Sequence, residues 1–111
     1  MHFQNGVSMK IRWVSLALTD IEQAADFISK DNPEAARKMV RRIWEAAKLL
    51  AEHPDAGRAG RVPGTRELII GGTPFILPYR VKGNTVQILR VLHSSRKWPL
   101  KFRSSNSSTI F

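Results

Sequence analysis

Phe75-Ile-Leu-Pro-Tyr-Arg-Val-Lys82-Gly83-Asn84-Thr85-Val-Gln-Ile-Leu-Arg-Val-Leu-His93 is the stretch that decides the fold. Gly83-Asn84 reads as a two-residue hairpin turn between two strands, Phe75–Lys82 and Thr85–His93. With Lys82 opposite Thr85, Tyr79 faces Ile88, Leu77 faces Arg90 and Phe75 faces Leu92. One face then carries Phe75, Leu77, Tyr79, Val81, Val86, Ile88 and Leu92, with Arg90 among them. The other carries Arg80, Gln87 and His93, together with Ile76, Leu89 and Val91. Pro78 cannot donate to a ladder, so it needs a bulge or an outward-facing edge there. A charge within an apolar strand must be paired. Arg90 therefore should be paired or lie at a sheet edge, with Glu67 or a backbone carbonyl as possible partners.

Working upstream, Glu67–Ile70 is a third strand-like run. Residues 55–66 form a Gly- and Pro-containing loop with Arg58, Arg61 and Arg66, which the fold should bring near the open face of the sheet. Asn32-Pro33 marks a helix start: Asn caps well, and proline loses nothing at the first helical position. That helix runs from Pro33 to about Glu52, with a stripe of Ala36, Met39 or Val40, Ile43, Ala47 and Leu50, and stops at His53-Pro54. An earlier helix spans Leu18 to about Lys30, with Leu18, Ile21, Ala25 and Ile28 on one side and Asp20 and Glu22 in its first turn. The short connection makes the two an antiparallel hairpin. Lys10-Ile-Arg-Trp-Val-Ser15 alternates and reads as a half-buried strand. The order β-α-α-β-β-β predicts an α+β fold, with a two-helix hairpin on one face of a twisted, mainly antiparallel sheet.

The charge is unevenly placed. All nine acidic residues lie between Asp20 and Glu67, and the chain from Leu68 to Phe111 has none. That stretch carries Arg80, Lys82, Arg90, Arg96, Lys97, Lys101 and Arg103, so seven of the nine net positive charges sit there. A field of one sign suits a polyanion or an acidic protein. The 111 residues suffice for one core. There is no cysteine, which removes disulfides and thiolate chemistry. No apolar run approaches the ~18 residues of a membrane span. Residues 1–8 read as an extension or cloning remnant, 9–103 as the working domain and 104–111 as a disordered tail.

His93-Ser-Ser-Arg96-Lys97-Trp98-Pro99 gathers an imidazole, two hydroxyls, two cations and an indole. Histidine moves protons near neutral pH, arginine binds phosphate bidentately, and Trp98 either stacks a base or packs back on the sheet. Tyr79 reads first as core. No His, Cys or carboxylate cluster has metal-ligand spacing. Phosphate-loop, dinucleotide and hydrolase motifs are missing, so no cofactor is implied.

Residues 9–99 resemble the RelE/ParE superfamily of toxins from type II toxin–antitoxin, or plasmid-stabilisation, modules. The matching pieces are the short basic first strand, Asp31-Asn32-Pro33-Glu34-Ala35-Ala36, Leu50-Ala-Glu-His-Pro54, Gly57-Arg58, Arg61-Val-Pro-Gly-Thr-Arg-Glu-Leu68, Pro78-Tyr-Arg-Val81 and Val86 through Pro99. They occur in order over more than four-fifths of the chain. The resemblance implies a cytoplasmic bacterial growth inhibitor, neutralised by an acidic antitoxin lying over the helix hairpin and sheet edge. It offers two activities. A RelE-like member would cut mRNA on the ribosome, with Arg61 and Arg96 on the scissile phosphate, His93 as acid/base and Tyr79 or Trp98 stacking a base. A ParE-like member would poison DNA gyrase and cut nothing, using Arg61, Arg66, Arg96 and the basic C-terminal segment as a contact surface; for either target, Arg58, Tyr79, Arg90, Lys97 and Trp98 are further candidate contacts. Thr73-Pro-Phe-Ile-Leu-Pro78 lacks the cation that many RelE-type nucleases carry before the motif tyrosine, and Ile88-Leu-Arg-Val-Leu-His93 looks more ParE-like, so the resemblance leans to gyrase. Outside the superfamily, the reading left is a non-toxic basic module that binds nucleic acid.

Overall fold

The computed structural model describes residues 8–95. In chain order it contains β1 (Lys10–Trp13), α1 (Ser15–Ser29), α2 (Pro33–Glu52), β2 (Arg58–Ala59), β3 (Arg66–Ile69), β4 (Phe75–Lys82), β5 (Thr85–Ile88) and β6 (Leu92–His93). The strands form one sheet in the order β1-β5-β4-β3-β2, and β6 also pairs with β4. β1 runs parallel to β5, while the remaining pairs are antiparallel. Both helices cover one face, so the predicted α+β architecture is the observed one.

The hairpin forms as its sequence dictates. Gly83 takes φ +60°, which a side chain would resist, and Lys82 pairs with Thr85 and Tyr79 with Ile88. Beyond Ile88 the expected register fails. Ile76 pairs with Leu92 and Phe75 with His93. Between the Tyr79 and Ile76 pairs, β4 contributes Leu77 and Pro78, whereas the opposite side contributes Leu89, Arg90 and Val91. One extra residue is a bulge. Its cause is Pro78: the Leu89 N–H donates to the Pro78 carbonyl at 2.9 Å, but proline has no N–H to return the bond. The ladder breaks there and resumes one residue out of step. Val91 consequently joins the helix-side core, Leu92 pairs on the open side, and His93 moves to the helix side opposite Phe75.

Arg90 lies within the break. Its carboxylate partner is Asp20 rather than the expected Glu67. Its Nε and Nη2 donate to Asp20 Oδ2 and Oδ1 at 2.7 and 3.0 Å, and the Val91 N–H adds a third bond to Oδ2 at 2.9 Å. Both side chains are only about one-eighth exposed. Asp20 therefore bolts the break in the sheet to α1.

α2 has the predicted bounds. Asn32 Oδ1 accepts the Ala35 N–H at 3.1 Å, and Pro33 opens the helix. In its first turn, the exposed Arg37 guanidinium holds the Glu34 carboxyl below its usual range. α1 begins a turn earlier than the sequence suggests, at Ser15, with Val14 as a cap that offers no side-chain acceptor. Its buried stripe is Ala17 and Ile21, followed by the half-buried Ala24, Ala25 and Ile28; Leu18 faces outward at 42% exposure. Asp20 thus sits past the first turn, where its partner is Arg90 rather than the helix dipole.

The main core joins Ala17, Ile21, Met39, Ile43 and Leu50 of the helices to Leu68, Leu77, Tyr79, Val86 and Ile88 of the sheet. Val81, expected in this core, is 42% exposed near the hairpin turn. The edge strand β1 is pinned by Trp13, whose ring meets that of Trp44 on α2 edge-on at 4.5 Å. On the open face Val14 and Leu89 form a second, small cluster under Leu16 and Val62.

Asp20→Ala strips Arg90 and the Val91 N–H of their shared carboxylate. Equilibrium urea unfolding should show a loss of about 2–3 kcal/mol. A loss below about 0.5 kcal/mol would mean the pair contributes no more than an exposed one.

Candidate functional site

The sheet divides the candidate residues between two faces. Glu67 pairs with Pro78 and Arg58, so its side chain points to the open face. It is 1% exposed, and a carboxylate so buried must be satisfied. The Arg61 N–H donates to Oε2 at 3.0 Å, Arg61 Nε lies 3.7 Å from the same oxygen, and Arg58 Nη2 reaches Oε1 at 3.4 Å. The loop of residues 60–65 is closed by a Gly60 N–H to Thr65 carbonyl bond of 2.8 Å and carries Val62 onto the small cluster. Arg58 and Arg61 are therefore brought together beside the open face, as predicted. Arg58 lies in β2, a strand too short to leave a periodic signal.

Arg66 is not with them. Its Nη1 donates to the carbonyls of Gly57 at 2.7 Å and Asp55 at 3.4 Å, at the end of α2. Next to it stands Tyr79, which pairs with Arg66 in register and is fully buried. The Tyr79 hydroxyl donates to the Pro54 carbonyl at 2.7 Å and accepts the Gly57 N–H at 2.9 Å. Gly57 must be glycine: a Cβ there would lie 2.7 Å from the tyrosine ring and 2.9 Å from the Glu67 carbonyl. Tyr79 therefore fastens the end of α2 to the sheet and has no ring face for a base. Arg90 is held by Asp20 and is mostly buried. Tyr79 is a core residue and Arg90 a paired one, and the bonds described here give each a structural role.

His93 lies exposed at the end of β6, on the helix side. Its Nδ1 accepts the Ser95 N–H at 3.2 Å and lies 2.8 Å from Ser95 Oγ, and its ring meets Phe75 edge-on at 5.8 Å. An acceptor at Nδ1 puts the proton of the neutral ring on Nε2. It borders a cleft of about 480 Å³ with Phe27, Lys38, Met39, Arg42 and Phe75. Phe27 is 75% exposed. His93 and Arg61 thus stand on opposite faces of the sheet, so the two described members of the supposed catalytic set are not brought together. Arg96, Lys97 and Trp98 lie outside the described residues.

Sequence reasoning undervalued four cations on the open face. Lys10 and Arg12 alternate with Ile11 and Trp13 on β1, and Arg80 and Lys82 with Tyr79 and Val81 on β4. Arg80 Nε donates to Gln87 Oε1 at 2.6 Å. The signal was the strand alternation itself, which already put Lys10 and Arg12 on the polar side. Among the described residues, no group of three or more His, Cys, Asp or Glu side chains is arranged to hold a metal ion, and no helix is long and apolar enough to cross a membrane.

The arrangement has known relatives. The family model described as the ParE toxin of type II toxin–antitoxin systems, parDE, matches residues 11–98. The chain belongs to this toxin family. A putative toxin Y4kP of Sinorhizobium fredii is 43% identical over 90 residues, 81% of this chain and 93% of that protein. Toxin RelE2 of Caulobacter vibrioides is 34% identical over 87 residues, 78% of this chain and 97% of that one. A chain from the chromosomal ParDE system of P. aeruginosa superposes with a TM-score of 0.70 at 37% identity, covering 78% of this chain and 96% of that chain. The toxin reading and the helix-hairpin-on-sheet fold therefore agree with independent relatives.

Burial pushes the Tyr79 hydroxyl above its ordinary value, against the opposing Gly57 N–H and nearby Arg66. Ionisation is thus harder in the folded toxin than in the unfolded chain. The phenol's contribution is fully present below the unfolded value near 10 and is lost as pH rises from there toward the folded value. Tyr79→Phe should cost about 1–3 kcal/mol at neutral pH by leaving Gly57 N–H and Pro54 C=O without their partner. It should also flatten the loss of stability above about pH 10. Denaturant melts of both proteins across that range check both effects, and a parallel alkaline loss in the variant would remove Tyr79 as its source.

Proposed function

We propose that this toxin arrests growth by binding DNA gyrase in the bacterial cytoplasm, without cutting nucleic acid, and that an acidic antitoxin silences it. The observation that carries the reading is the separation of His93 from Arg61. A general acid or base must reach the reacting proton within hydrogen-bond distance or through one water. Here the imidazole lies on the helix side, while the arginines and lysines of β1, β2 and β4 line the opposite face. Among the described residues the open face carries no histidine or tyrosine. The family description, with its ParDE system, supports the same direction. A second reading, ribosome-dependent mRNA cleavage, draws support from the RelE name of the Caulobacter relative.

Controlled expression should stop DNA synthesis before protein synthesis, with messages left intact. The purified toxin should inhibit supercoiling by gyrase, and His93→Ala should arrest growth as wild type does. Early cleavage of messages, with a loss of about 10²-fold or more for His93→Ala in a folded protein, would overturn the gyrase reading in favour of RNA cleavage.

The antitoxin would cover the helix side. Leu18, Phe27, Trp44 and Leu49 are exposed large apolar side chains on the helices. Lys38 and Arg42 rim the cleft beside Phe27. Apolar anchors inside a cationic rim fit an amphipathic acidic segment. Phe27→Ala should therefore weaken antitoxin binding about 30-fold or more, roughly 2 kcal/mol, with the melting temperature unchanged. Titration calorimetry would measure it, and unchanged affinity would move the antitoxin off this face.

A further inference from the structure

The open face of the sheet carries four cations besides the arginines gathered around Glu67. Register sets its cations in two cross-strand rows, Arg12–Gln87–Arg80 and Lys10–Thr85–Lys82. Two strand spacings separate the ends of a row by ~10 Å, and alternate residues put the rows ~7 Å apart. The four cations thus mark the corners of a patch on the sheet. None of β1, β4 and β5 contains an acidic residue. The acid this face does carry, Glu67, is buried with Arg58 and Arg61 against it. Lys10, Arg12 and Lys82 are exposed and Arg80 half-buried.

We propose that this patch is a docking surface for the phosphate backbone of double-stranded DNA. An acidic protein fits it less well. Protein interfaces draw their energy from apolar and aromatic anchors, and the two rows hold none. The exposed apolar residue on this face, Ile69, belongs to β3 and lies outside the rows. Single-stranded nucleic acid also fits less well, because proteins that bind it stack its bases on aromatic rings. Among the described residues the open face carries no aromatic side chain: Trp13, Phe75 and Tyr79 all pack on the helix side. What remains is a grid of cations with Gln87 and Thr85 as neutral groups between them. Each DNA strand offers a phosphate every ~3.4 Å along the axis, so a patch of this size meets about three or four of them. Contacts of this kind position a protein on a duplex without reading its sequence.

The proposal concerns the isolated toxin and holds or fails whichever enzyme the toxin acts on. Fluorescence anisotropy with a duplex of about 20 base pairs, the matching single strand and a single-stranded RNA, between about 50 and 200 mM salt, tests it. Duplex DNA should bind most tightly, with a log–log salt slope of about −3. Arg12→Gln with Arg80→Gln should weaken binding at least tenfold at low salt and reduce the slope by about two. Lys10→Gln with Lys82→Gln should act in the same direction, so either pair can carry the test if the other is poorly folded by circular dichroism. Arg41→Gln with Lys48→Gln removes the same net charge from the solvent side of α2 and should change affinity less than twofold. Preference for single-stranded RNA, an equal effect of the α2 pair, or no duplex binding at the lowest salt would overturn the proposal. So would open-face variants that weaken binding of an acidic antitoxin while leaving duplex affinity intact.

Discussion

A single missing N–H organises this molecule. Pro78 sits in β4, the strand to which β3, β5 and β6 all pair. An interior proline cannot complete the ladder, and the chain accommodates it with one extra residue on the neighbouring side. That residue reverses the facing of everything after it. Val91 enters the core, and His93 crosses to the helix side. The break also exposes a backbone N–H and an arginine that need an acceptor, and Asp20 satisfies both from α1. The defect in the sheet thereby becomes a tether to α1.

The result is a molecule with two dissimilar faces. Most of the large apolar side chains that stay exposed, above all Phe27, lie with the helices. The cations of β1 and the hairpin end of β4 lie on the opposite face of the sheet. The boundary is kept sharp by Glu67, which gathers Arg58 and Arg61 at the edge of the basic face, and by Tyr79, which ties the end of α2 down from the other side. Phenol and carboxylate come from β-strand positions that face opposite ways. Neither would serve its purpose if β3 and β4 slipped by one residue, because such a slip exchanges the faces.

Much of this was legible in the sequence. The Asn32-Pro33 start, the length of α2 and the Gly83-Asn84 turn are local signals, set by capping and backbone sterics, and they came out as read. The need for a bulge at Pro78 was legible too, but its position was not. Whether the extra residue enters before or after Arg90 depends on where a distant carboxylate stands, and Asp20 is 70 residues away. α1 began early because Val14 and Ser15 continue a strand-like alternation while the backbone already turns. Among the candidate site residues, Arg58 and Arg61 were found because loops rich in arginine and glycine stand out. Arg66 separated from them because strand alternation sends neighbouring side chains to opposite faces. Lys10 and Arg12 were passed over because an isolated edge strand looks like ordinary solvated surface. Their meaning appears only when β1 is laid parallel to β5, beside Arg80 and Lys82.

That parallel pairing has a consequence for how the protein is made. β1 is made long before its hydrogen-bonding partner, residues 85–88, and α1 finds the other half of its ion pair at residue 90. Contacts of such sequence separation close slowly and late. At synthesis rates of about 5–20 residues per second, the helix hairpin exists for seconds with no complete sheet to pack on. The basic rows join strands far apart in the chain, so they exist only once β1 has paired with β5, and any truncated product that lacks β4 and β5 has no such face.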